Sequence, residues 1–390
     1  MEKIYLDNNA TTMVDPEVKE SMEPFWSDKY GNPNSLHSFG TDTHKYMSEA
    51  LDQIYSALGA DDNDNIVINS CATEGNNTVL KSIWTDYILN GNKKRIISSM
   101  IEHPSISNTL DWLEKMGAEV VRIAPDSEGI ITKEAVENVL DPESTALVSI
   151  MWANNETGLI NQVKEIAGLC REKGVLFHTD AVQAVGKVPV KLNEVPADFL
   201  TFSAHKFHGP KGAGGLYIRE GRKITPLLHG GEQMGGLRAG TVNVAFMVGM
   251  GKAIQLAEKF LEYENTSLRS MRDRLEDAIK QIPDTLVFGK RSLRTPNTIL
   301  ASFRGIEGEA FLWDLNRKGI AASTGSACSS ESLEADATLT AMISDADLAH
   351  TAVRFSLSRF NTEKEIDYTI SAVNETVERL RSISSTYRNS

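Results

Sequence analysis

Phe199-Leu200-Thr201-Phe202-Ser203-Ala204-His205-Lys206 is an apolar run that ends, behind two small residues and a histidine, in a lysine. Burying an ammonium group is expensive, so a lysine at the mouth of a core strand either reaches back to water or works as a free amine. Upstream, Val175-Leu176-Phe177-His178-Thr179-Asp180-Ala181-Val182-Gln183 reads as a strand that closes in an acid and then an amide. Two strands closed by Asp180 and Lys206 would lie side by side at the carboxyl edge of one sheet, where open α/β folds place their ligands. An aldehyde cofactor built on a pyridine ring needs such a trio. Lys206 supplies an amine for the aldehyde, Asp180 a carboxylate for the ring nitrogen, and Gln183 a donor for the ring hydroxyl.

Outward from this pair the chain alternates. Strands are expected at 66–68, 95–99, 119–123 and 146–150, with helices at 44–58, 107–116, 133–140 and 163–173. Such alternation means crossover units and a mainly parallel sheet, an α/β fold. The glycine-rich segments 209–215 and 230–241 match neither the phosphate loop nor the dinucleotide fingerprint. They are read as tight turns and close backbone approaches at a ligand or subunit interface. A long helix over 249–281 is expected to lead to a second unit with strands near 298–303 and 353–357 and a closing helix capped at Thr362 and Glu365. The expected division is a large domain at 15–255 and a small one made of 1–14 and 256–390.

The full chain has 390 residues, 41% hydrophobic and 24% charged, with a net charge of −13. Acidity of this size argues against nucleic acid or a membrane surface as the main partner. The start lacks the apolar stretch of a signal peptide and no apolar run is long enough to span a bilayer, so a cytoplasmic location is expected. Three scattered cysteines make no disulfide framework. Cys170, on the 163–173 helix, reads as a small buried hydrophobe.

Other candidates stand further from the central pair. Ala72 and Thr73 follow a short strand and open a helix, a place that suits an anion or a plain N-cap. His103 follows a strand and precedes a proline, as a ring that could stack or carry a proton. His205 and His208 have a metal-like spacing but lack a third ligand nearby. Cys328, in Ser323-Thr324-Gly325-Ser326-Ala327-Cys328-Ser329-Ser330, has the surroundings of a loop-borne reactive thiol. Arg354 interrupts an apolar strand and needs a carboxylate, from a substrate or from the protein itself.

With these pieces in place, the chain resembles the cysteine desulfurases of the NifS and IscS type, over essentially its whole length. The resemblance rests on Tyr5-Leu6-Asp7-Asn8-Asn9-Ala10-Thr11-Thr12, Ala72-Thr73-Glu74, Glu102-His103, Asn154-Asn155-Glu156, His178-Thr179-Asp180-Ala181-Val182-Gln183, Ser203-Ala204-His205-Lys206, Arg238-Ala239-Gly240-Thr241, Gly325-Ser326-Ala327-Cys328 and Arg354-Phe355-Ser356-Leu357. The wording of the Asn-Asn-Ala-Thr-Thr and Trp152-Ala153-Asn154-Asn155 segments is closer to the NifS branch.

The resemblance implies a fold-type I enzyme dependent on pyridoxal 5'-phosphate, acting as a homodimer on L-cysteine. Lys206 would carry the cofactor and remove the α proton, Asp180 would pair with its ring nitrogen, Gln183 with its hydroxyl, and His103 would stack on it. Ala72, Thr73, Ser203 and His205 would hold the phosphate, joined by Thr241 of the second subunit. Asn155 and Arg354 would grip the substrate carboxylate. Cys328 would take the sulfur as a persulfide, leaving alanine, and an iron–sulfur scaffold of the NifU or IscU kind would receive it. No resident metal is implied. Two departures are small: Cys71 stands where the family usually has Gly, and Ala204 where Ser or Gly is common. A selenocysteine or cysteine-sulfinate lyase of the same fold, and a non-catalytic sulfur-assembly scaffold, are the competing readings.

Overall fold

In the computed structural model, which describes residues 3–324, 337–342, 348, 351–385 and 387, the alternating runs fold as one large sheet and a smaller antiparallel one. The strands in chain order are β1 (Ile4–Tyr5), β2 (Asn65–Asn69), β3 (Arg95–Ser99), β4 (Glu119–Ile123), β5 (Thr145–Ser149), β6 (Leu176–Asp180), β7 (Phe199–Ser203), β8 (Gly214–Ile218), β9 (Thr285–Val287), β10 (Thr298–Phe303), β11 (Ile320–Ala321), β12 (Ser323–Thr324) and β13 (Ala352–Ser356). The seven-stranded sheet has the order β2-β8-β7-β6-β5-β3-β4. Strands β3 to β7 pair in parallel, and β8 runs antiparallel to both its neighbours. The central strands β5, β7 and β8 are buried along their whole length, as a sheet covered on both faces requires.

Strand β8 is an element the glycine-rich reading of 209–215 does not predict. Its first two residues are glycines, poor strand formers that read as a turn. Both are there for space: a Cβ on Gly215 would lie 2.1 Å from the Phe202 ring, and one on Gly214 would lie 2.5 Å from Asn69 Oδ1. The backbone of β8 is thereby brought close against β7 and the turn after β2.

The expected continuous helix over 249–281 is broken. One helix covers Val244–Lys259 and stops at Phe260, whose backbone (φ −94°, ψ 4°) leaves the helical region; a wide turn at Glu264–Leu268 then leads into Arg269–Lys280. Neither Pro nor Gly marks the break, which carries Glu264 into the interior.

The second sheet, in the order β12-β13-β10-β9, is antiparallel, with β1 and β11 paired beside it. One core joins residues from Val18 to Ala257. Another gathers Ile4 and Leu6 with Leu275, Phe303, Phe311, Phe355 and Val377. The closing helix Glu363–Ile383 begins with the capping box read from Thr362 and Glu365. Cys170 is fully buried, and burial pushes its thiol up to about 12, in keeping with a packing role. Among the described residues no helix is long and apolar enough to cross a membrane.

Candidate active site

Strands β6 and β7 lie side by side, with Asp180 opposite Thr201. Asp180 is the last residue of β6, and β7 passes directly into a single tight turn, Ala204–Lys206, that presents the lysine. Both residues open onto a cavity of about 320 Å³. Its wall also contains Ala72, Thr73, His103, Asn155, Gln183, Ser203, His205 and Arg354. Of the residues singled out from the sequence, Thr241 is not in this wall; it lines a separate pocket with Ser70 and Arg238. Cys328 lies outside the described residues.

Lys206 Nζ donates to the carbonyls of Asn9 (2.6 Å) and Ala10 (2.9 Å). The Asp180 carboxylate accepts from Asn76 Nδ2 (2.8 Å) and from the backbone N–H of Val182 (3.0 Å). Asn76 in turn donates to Ser105 Oγ (2.9 Å) and accepts from Thr201 Oγ1. The backbone N–H of Ser105 donates to His103 Nδ1 (3.1 Å), so the ring proton belongs on Nε2. Burial, with Lys206 adding to it and Asp180 opposing, holds the His103 pKa below the ordinary histidine value, so the ring is neutral at pH 7.

At the other edge, the helix Ala72–Ile83 starts at Cys71, and among the described residues no side chain caps it. Thr73 is its second residue, so the plain N-cap reading does not hold. Ser203 lines the same cavity, and its Oγ is buried with no hydrogen-bond partner among the described residues. His205 Nδ1 lies 3.1 Å from Thr11 Oγ1, and burial together with Lys206, Lys211 and Lys187 drives its pKa down to about 4. His208 turns away from its neighbour: its Nδ1 is 2.9 Å from the Met13 carbonyl and its ring packs edge-on against Phe360.

Arg354, on β13, reaches the cavity from the smaller sheet. Its guanidinium pairs with Asp7 (2.9 Å) and Glu156 (2.8 Å) and donates to the Asn155 carbonyl (3.1 Å). The protein's own carboxylates, Asp7 and Glu156, thus meet the need for a partner inferred from the sequence, at the wall of the cavity.

A model of the class-V aminotransferases matches residues 4–369. The cysteine desulfurase of Enterobacter agglomerans is 46% identical over 98% of this chain and 95% of its own length, and NifS of Azotobacter vinelandii is 43% identical over the same shares. The chain belongs to the class-V aminotransferases and, within them, to the cysteine desulfurases. A solved NifS-like protein, 37% identical, superposes over 98% of this chain and all of its own with a TM-score of 0.90. The solved structure of SspA in complex with cysteine is 29% identical, with a TM-score of 0.81 over 92% of this chain and all of that one.

Within this fold, three site residues escaped the sequence reading. Asn9 uses every polar group it has. Its carbonyl takes Lys206 and Gln183, its Nδ2 donates to the Asn155 carbonyl and Thr298, and its Oδ1 takes Asn297 and Lys187. Asn76 holds Asp180, and Lys187 holds Gln183. The partners of Asn9 and Asn76 lie up to hundreds of positions away, and a lysine four residues after a glutamine does not by itself announce a contact; only the position of Asn9 inside the first quoted motif is a signal.

Proposed function

We propose that this protein is a pyridoxal-phosphate-dependent cysteine desulfurase that converts L-cysteine to L-alanine and a persulfide on Cys328. The observation that carries the reading is the convergence of Lys206 and Asp180, from the ends of two adjacent strands, on one cavity that also holds Gln183 and His103. The fit to the cofactor is supported by Ser203 Oγ, a buried hydroxyl that has no partner among the described residues, beside a helix start that no described side chain caps. A phosphate there would answer both.

When bound, pyridoxal phosphate supplies an electron sink for the bonds broken at the substrate. Lys206 Nζ anchors it and afterwards takes the α proton. The Asp180 carboxylate, oriented by Asn76 and the Val182 N–H, keeps a proton on the ring nitrogen. Gln183 Nε2 donates to the ring hydroxyl oxygen. Ala72, Thr73, Ser203 and His205 hold the phosphate, with Thr241 of a second subunit completing the cradle in a homodimer. His103, neutral with its proton on Nε2, would pack against the ring and hand a proton on. Asn155 and Arg354 receive the substrate carboxylate. The Cys328 thiolate attacks the substrate sulfur; an S–S bond forms, the carbon–sulfur bond breaks, and its electron pair stays with the carbon fragment, which becomes alanine on protonation. An iron–sulfur scaffold protein of the NifU or IscU kind is the expected acceptor.

The test compares three proteins supplied with pyridoxal phosphate and cysteine. Wild type is expected to be yellow and to yield alanine and sulfide in the presence of a reductant. Cys328→Ser is expected to keep the colour and lose sulfide release, and Lys206→Ala to lose both. A Cys328→Ser protein with full activity would refute the persulfide route.

A further inference from the structure

Lys187 stands four residues beyond Gln183, in the turn that follows β6, and is only 6% exposed. Its Nζ donates to Gln183 Oε1 and, at 3.2 Å, to Asn9 Oδ1. Gln183 Nε2 donates at 2.9 Å to the Asn9 carbonyl, the same oxygen that receives Lys206 Nζ.

A side-chain amide can sit either way round, and its neighbours decide which. Here the Lys187 amine, which donates, stands at the oxygen end, and a carbonyl, which can only accept, stands at the nitrogen end. Both demand the same orientation. One N–H of Nε2 goes to Asn9, and the other makes no hydrogen bond among the described residues, on a side chain that lines the cavity.

Holding the amine there is costly. Burial pushes the Lys187 pKa down to about 7, Lys206 and Arg354 adding to the effect and Glu264 opposing it. An apolar side chain of the same length would avoid that penalty. The mechanism above makes no direct use of this amine, and its two hydrogen bonds go to Gln183 and to Asn9, the residue that also holds Lys206.

We propose that Lys187 is a positioning residue: it locks the Gln183 amide with its nitrogen toward the cavity, so that the spare N–H meets the ring hydroxyl oxygen of the cofactor. What that N–H meets rests on the pyridoxal-phosphate reading; the orientation of the amide does not.

The test is a double-mutant cycle read by cofactor affinity and visible absorption, joined to a measurement whose reading does not depend on the cofactor. Lys187→Met is expected to raise the Kd for pyridoxal phosphate about tenfold, as loss of one hydrogen bond to a buried group would, and to shift the absorption band of the bound cofactor. In a Gln183→Ala background the same change is expected to alter Kd less than about twofold, since residues that act through one contact are non-additive. Equal effects in both backgrounds, or no effect in either, would overturn the proposal.

In wild-type protein as purified, labelled with 15N-glutamine, the Gln183 side-chain amide is expected to exchange its protons slowly and to show a single environment. Lys187→Met should abolish that protection. A Gln183 amide in wild type that exchanges as fast as an exposed glutamine would also overturn the proposal, whether or not the variant folds. A wild type that takes up no pyridoxal phosphate would sink the functional reading, and the exchange measurement would still decide the role of Lys187.

Discussion

The two ends of the cavity are built on different terms. At the Asp180 end, the carboxylate is held by neutral donors: Asn76, itself fixed by Ser105 and Thr201, and the Val182 N–H. At the Arg354 end, a guanidinium from the smaller sheet is held by two carboxylates, Asp7 and Glu156, and is 3% exposed. Neutral donors leave the charge of Asp180 free to act on whatever sits over it. An ion pair already made does not, so a substrate carboxylate at Arg354 would gain less than it would at a free guanidinium. One end holds a charge with no counter-ion among the described residues, and a ligand carboxylate at the other would compete with partners already in place.

The largest effect is expected at the Arg354 end. Arg354→Lys keeps the charge that Asp7 and Glu156 require but loses the two-pronged geometry. Its KM for cysteine should rise about thirtyfold, roughly 2 kcal/mol of charge-assisted hydrogen bonding, with kcat little changed. Glu156→Gln weakens the internal competitor, and KM should fall about threefold. If Glu156→Gln instead raises KM as much as Arg354→Lys does, the ion pair orients the guanidinium and does not compete.

A smaller effect, of the opposite kind, is expected at the Asp180 end. Asn76→Ala removes one donor from Asp180 and should lower kcat about tenfold, the value of one hydrogen bond to a charged group, with KM nearly constant. Steady-state kinetics on the two variants therefore separates the ends: one moves KM and the other moves kcat. Parallel changes in both constants would erase the distinction.

The difference between the ends also explains what could be read from the chain. Asp180 and Lys206 were legible because each closes an apolar run, and two such strands in one parallel sheet have their ends together. Arg354 was legible as a charge in need of a partner, but Asp7 and Glu156 were not legible as that partner, being 347 and 198 positions away. Asn9 and Lys187 look like ordinary polar residues until the fold stacks them against Gln183. Strand β8 was hidden by the glycines that let it pack, and the break at Phe260 carries no Pro or Gly to announce it. The alternation of strands and helices, by contrast, needs no distant information, and it placed β2 to β7 within a residue or two.

The mildest test concerns a third carboxylate, whose environment is the reverse of that of Asp180. Glu102 accepts from Ser99 Oγ (2.6 Å) and the Met151 N–H (2.9 Å) through one oxygen, while the other is buried with no hydrogen-bond partner among the described residues. Burial raises its pKa from 4.5 to about 8; the two hydrogen bonds oppose the rise and the charge of Asp180 adds to it. The folded protein therefore binds this proton more tightly than the unfolded chain does. The stability it contributes is fully present below the unfolded value of 4.5 and is lost as pH rises toward 8. Glu102→Gln stays neutral throughout and keeps an acceptor for Ser99 and Met151. Between about pH 6 and pH 8 its stability advantage over wild type should widen by roughly 2 to 3 kcal/mol in urea unfolding, while kcat/KM at neutral pH stays within about twofold of wild type. Unfolding curves for the two proteins that stay parallel over that window would mean that Glu102 is ionised in the folded state, and that the sheet edge beneath the cavity carries two negative charges rather than one.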